Sequence, residues 1–135
     1  MKQTIVVAKP PVYDECVAAF GRDAIVGKPI LWAWGDKIYN PLDIDIPREL
    51  LAHEAVHGAR QLGQVESWWE LYLKDAAFRY NEEVLAHRAE WRNLVKWNRQ
   101  SAAALDAIAA RLASPLYGKM CSMDGARFAL SARAG

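Results

Sequence analysis

The 135 residues, 53% hydrophobic and 24% charged, match one compact domain, 1–135, able to bury a core without disulfides. Seventeen basic residues against 16 acidic leave a net charge of +1, which excludes a molecule-wide field drawing the chain onto nucleic acid or an acidic membrane. Cys16 and Cys121 are too few and too far apart for a disulfide framework or a thiolate metal site, so a cytoplasmic protein with reduced thiols is expected. The apolar run from Ile5 to Ala8 is shorter than a signal-peptide core, and no stretch has bilayer length, so neither export nor membrane insertion is expected.

In chain order, the β-branched stretch Thr4 to Ala8 reads as a strand stopped by Pro10 and Pro11, and Tyr13 to Phe20 as a helix ended by Gly21. From Ala24 to Tyr39 the pieces AIV, ILWAW and KIY read as short extended segments, with Gly35 and Asp36 turning a hairpin. An exposed edge at ILWAW would pair an extended peptide. Asp45 as N-cap and Pro47 in the first turn announce a helix running to about Leu62, ended by Gly63. Ser67 and Glu70 form a capping-box pattern before WWELYL, and helix continues to about Trp97 with a bend near Asp75. Ser101 to Ala113 carries Leu105, Ile108 and Leu112 on one stripe, and a last short helix spans Asp124 to Ser131. The class is α+β: a small N-terminal sheet, antiparallel or mixed, packed on a helical half, with a layer boundary near Asn40.

The stretch LLAHEAVHGARQ holds two of the three histidines four positions apart. At 3.6 residues per turn, His53 and His57 project from one helical face and can share an ion, while Glu54 lies one residue round, within reach of a water beside that ion. One Zn²⁺ on two imidazoles still needs a third protein ligand, and RYNEEVLAHRAEW offers Glu82, Glu83 and His87 within about a turn and a half. Glu83 shares a face with Tyr80, Ala86 and His87, and is the choice. Periodicity does not force it, because Glu82 shares the more apolar face of Phe78, Leu85 and Ala89. Trp68, Trp69, Trp91 and Trp97 read as core or interface, and the basic residues Arg88, Arg92, Lys96 and Arg99, interrupted by Glu90, as a solvated face, so no nucleic-acid partner is expected.

HEAVH followed by a helix-borne glutamate resembles the gluzincin side of the zincin metallopeptidases, specifically their very small single-domain members. The run from Trp68 through FRYNEEVLAHRAEW to SPLYGKM resembles short phage- and prophage-encoded metallopeptidases, and the likeness covers roughly residues 30 to 130. Their second motif falls here on Phe78, Arg79, Glu83, Ala86, His87 and Arg88, which implies Glu83 as the third ligand. His87 stands where that group has a tyrosine. The resemblance implies a zincin-like domain that hydrolyses peptide or protein substrates in a host cytoplasm, with Zn²⁺ on His53, His57 and Glu83 and with Glu54 as general base. His87, Tyr80 and Arg79 are then the candidate donors to the oxyanion. The alternative is a phage structural, assembly or interaction protein in which zinc ties two helices and Glu54 is idle.

Overall fold

The structure, a computed structural model, describes residues 2–131 and is α+β. Three strands, β1 (Thr4–Val6), β2 (Trp32–Trp34) and β3 (Lys37–Tyr39), form a mixed sheet in the order β1-β3-β2. β1 runs parallel to β3, and β2 is antiparallel to it across the Gly35–Asp36 turn, where Gly35 takes φ +60°. β1 stops two residues short of the expected Ala8, because Ala8 N–H turns back to the Val6 carbonyl at 3.0 Å.

Helices α1 (Tyr13–Phe20) and α2 (Arg22–Ile25) are separated only by Gly21, at φ +94°. Ala24 and Ile25, expected to be extended, are thus helical, and this single turn brings Ile25, 2% exposed, into an aromatic cluster with Trp32, Trp68, Trp69 and Tyr72. Apolar burial here outweighs the strand preference of the β-branched pair Ile25 and Val26.

Helix α3 (Arg48–Arg60) starts later than expected: Pro47 is the N-cap, and its carbonyl accepts from Leu50 and Leu51 N–H. Asp45 does not cap it; the turn ahead is closed by Asn40, whose side chain bonds Ile44 N–H and C=O. Helix α4 (Val65–Lys74) also departs from expectation, since Ser67 lies inside it and donates back to the Gln64 carbonyl, while Glu70 pairs with Lys74. No capping box exists there. The side-chain cap is Asp75, which accepts from Phe78 N–H at 3.1 Å and starts α5 (Ala76–Lys96) as a separate helix. α6 (Ala102–Leu112), capped by Ser101, and α7 (Met123–Ser131) follow, joined by a 3-10 turn at Pro115–Tyr117.

Packing has two centres. Val84 and Leu94 of α5 meet Ile108, Leu112, Ala126 and Leu130 of α6 and α7 in an aliphatic cluster. The aromatic cluster lies at the other end, between α1, β2 and α4. α3 fits between the sheet and α5 because of Gly58: a Cβ there would stand 2.5 Å from the Gly35 carbonyl and 2.5 Å from Gln3 Nε2. Just beyond, the fully buried Gln61 accepts from Gly35 N–H at 2.7 Å and donates to the Ala33 carbonyl at 3.1 Å. Trp69 Nε1 donates to the same carbonyl, so the β2 edge expected to pair a peptide at ILWAW is occupied at Ala33 by the side chains of Gln61 and Trp69.

Candidate metal centre

α3 directs His53, Glu54 and His57 toward α5, and all three are buried. Of the two neighbouring glutamates on α5, it is Glu83 whose carboxylate faces the imidazoles. Glu83 Oε1 lies 3.4 Å from His53 Nε2 and 3.3 Å from His57 Nε2. Glu82 turns the other way, accepting from Arg60 Nε at 2.7 and 2.8 Å and from Trp68 Nε1 at 2.7 Å. Its apolar helix face is buried, as periodicity suggested, but as the seat of a structural ion pair.

A zinc ion binding nitrogen and oxygen at about 2.0–2.2 Å in a tetrahedron holds its ligand atoms about 3.3–3.5 Å apart. The Glu83 to histidine separations match that edge and are long for hydrogen bonds. One atom from each of His53, His57 and Glu83 fits within a 4.8 Å span, so these residues could hold a metal ion. The surroundings orient them further. Tyr72 donates its hydroxyl to Glu83 Oε2 at 2.5 Å, and that oxygen also lies 3.3 Å from His57 Nε2. His53 Nδ1 lies 2.5 Å from Glu90 Oε1, which keeps a proton on Nδ1 and turns Nε2 toward Glu83. Glu90 is in turn clasped by both terminal nitrogens of Arg111. His57 Nδ1 has no partner among the described residues.

Electrostatics point the same way. Glu54, Glu83 and Glu90 are all buried around the imidazoles, with Arg111 the neighbouring permanent cation. Burial by itself lowers His53, yet Glu54, Glu83 and Glu90 hold it well above the usual imidazole range. Burial likewise raises Glu83, and the two histidines more than reverse it, holding it well below the usual carboxylate range. The cluster therefore demands positive charge at its centre, from a proton on His53 or from a cation. Glu54 Oε2 stands 3.7 Å from His53 Nε2, and burial raises its carboxyl, making it the stronger base.

The other expected site residues lie elsewhere or act differently. His87 is fully buried, its Nδ1 2.6 Å from the Glu83 carbonyl oxygen, and burial pushes it down to about 4. The neutral ring so placed presents a lone pair at Nε2, whereas an oxyanion donor needs an N–H there. His87 does group with His53 and Glu90 within 4.8 Å. Tyr80 packs against the aliphatic cluster, on the side of α5 away from the histidines, and so is not part of the centre. Arg79 is spent on the backbone, its Nε donating to the Tyr117 carbonyl at 2.9 Å and its Nη1 to the Tyr72 carbonyl at 2.7 Å. It thereby fixes two tyrosines that were not anticipated. Tyr117 lines both the cavity over His53, His57 and Glu83 and the adjoining groove past Pro29, Leu50 and Arg111. Burial, with Glu83 beside it, raises its hydroxyl well above the usual phenol range, which keeps the proton on the oxygen. Tyr72, Tyr117 and Arg111 reach the centre from outside α3 and α5, where helical spacing carries no signal. Glu90 did carry one, three residues beyond His87 and seven beyond Glu83 on the same face.

Comparison with protein-family models, curated proteins and solved structures finds no match for this chain.

Proposed function

We propose that this protein is a zinc-dependent peptidase of zincin-like type, with Zn²⁺ on His53, His57 and Glu83. The observation that carries this reading is the pair of 3.3–3.4 Å separations between Glu83 and the two imidazoles, with the carboxylate of Glu54 beside them. The resemblance of HEAVH and FRYNEEVLAHRAEW to small gluzincins supports the same assignment. When bound, zinc supplies Lewis acidity, which polarises a carbonyl and lowers the pKa of water to about 7.

The chain's own residues do the rest. Glu54 takes a proton from the attacking water and returns it to the leaving amine. Tyr117 donates its hydroxyl to the oxygen on which charge develops, a role expected from the sequence of His87, Tyr80 or Arg79. Glu90, held by Arg111, keeps His53 in the tautomer that offers Nε2. The groove past Pro29 and Leu50 admits an extended peptide to Glu54.

A second reading, zinc as a tie between α3 and α5 without catalysis, is favoured by the burial of His53, Glu54 and His57 at 4–5% exposure. Glu54→Gln separates the two. Under the peptidase reading it keeps the zinc content of the wild type and loses cleavage of a denatured-protein or peptide library. Absence of wild-type cleavage across broad substrates at full zinc occupancy would leave only the structural tie.

A further inference from the structure

The face of α3 opposite the histidines borders an open groove that the peptidase reading does not use. Its floor is Ile5 and Ile38, adjacent in register on β1 and β3, together with Leu51 and Ala55 of α3, and Trp97 stands at its rim. Ile5, Leu51 and Trp97 are 48%, 39% and 47% exposed, although tryptophan and isoleucine are costly to leave in water. Lys2, Arg48 and Lys96 line this groove, and no acidic residue does. Arg48 lies 4.1 Å from the centre of the Trp97 ring and Lys96 5.7 Å, so both cations sit at the apolar rim.

The sheet is open on the same side. β1 is an outer strand, and Thr4 N–H donates to the Asp36 carbonyl while the Val6 carbonyl accepts from Asn40 N–H. In a parallel ladder that alternation spends Thr4 and Val6 on β3 and turns the N–H and C=O of Ile5 outward. Just past the strand, Val7 is 58% exposed.

We propose that this groove and strand edge receive an extended segment of a partner protein, apolar in its middle and acidic at both ends, which adds to the sheet beside β1. A peptide backbone supplies the N–H and C=O groups that the Ile5 edge lacks, its apolar side chains cover Ile5, Leu51 and Trp97, and its carboxylates meet Lys2, Arg48 and Lys96. Neither a lipid surface nor a nucleic acid carries the backbone groups that pair a strand edge. The surface is separate from the metal centre, so it stands or falls independently of the peptidase reading.

The test is an amide NMR titration of the full chain with acetyl-Asp-Glu-Val-Thr-Ile-Thr-Val-Glu-Asp-amide. Expected are shifts confined to the surroundings of Ile5, Leu51 and Trp97. Binding should weaken about tenfold or more when the four acids are replaced by lysine. N-methylation of alternate peptide nitrogens should weaken it similarly. The exposed pair Arg48→Glu and Lys96→Glu, checked for an unchanged melting temperature, should reverse the preference toward the lysine peptide. No binding, binding indifferent to these charges, shifts located elsewhere, or tighter binding of oligothymidylate or phosphatidylserine vesicles than of the peptide would each overturn the proposal.

Discussion

Helix α5 is buried on two sides by opposite chemistry. Toward α6 and α7 it presents Val84 and Leu94 to an aliphatic cluster, where each buried side chain stabilises the fold through the water it sheds. Toward α3 it presents Glu83, His87 and Glu90, fully buried groups whose desolvation costs free energy that their mutual hydrogen bonds only offset. One side of the helix holds the molecule together, and the other uses part of that stability to keep charged groups close and dry. Substitutions on the two sides should therefore separate stability from metal binding.

The largest effect is expected on the aliphatic side. Leu112, fully buried, should cost about 2–5 kcal/mol when replaced by alanine. We predict that denaturant unfolding shows this loss for Leu112→Ala while the zinc content of the folded fraction stays that of the wild type. A parallel loss of zinc would mean that the two sides are one cooperative unit.

On the polar side, Tyr117→Phe removes one hydroxyl and keeps the ring that packs in the aromatic cluster, so stability and zinc content should hold. We predict that kcat for a cleaved peptide falls about 10²–10³-fold, the usual effect of losing one oxyanion donor. An unchanged kcat would remove Tyr117 from the reaction.

The smallest of the three is Glu90→Gln, which keeps the shape but weakens the hold on His53 Nδ1. Zinc affinity measured by competition with a chelator should drop about 10–100-fold. Unaltered affinity would make the Arg111–Glu90 pair a packing feature alone.

The legible part of the molecule was what local periodicity encodes. His53, Glu54 and His57 share a helix turn, and Glu83 follows on a second helix, so both strips were visible before any coordinates. Glu82 and Glu83 are one residue apart, and only the third-element contacts of Arg60 and Trp68 decide which of them turns away. Helix starts were less visible, because Asp45 and Ser67 have capping chemistry but Pro47 and Gln64 occupy the positions where the chain enters the helix. Ile25 was misjudged for a related reason: burial against aromatic side chains distant in sequence decides its conformation. The free sheet edge was expected at ILWAW and lies at β1, since Gln61 and Trp69, remote in sequence, cover Ala33.

Asp75 shows how little sequence such an arrangement can require. Tyr72 and Glu83 are eleven residues apart, and on one continuous helix they would be about 16 Å apart along its axis. A single extended residue at Asp75, φ −116° and ψ 104°, doubles the chain back so that the phenol meets the carboxylate at 2.5 Å. The corner between α4 and α5 is thus a ruler for the candidate metal centre, and lengthening it by one residue would move the hydroxyl off Glu83 without altering His53, His57 or Glu83.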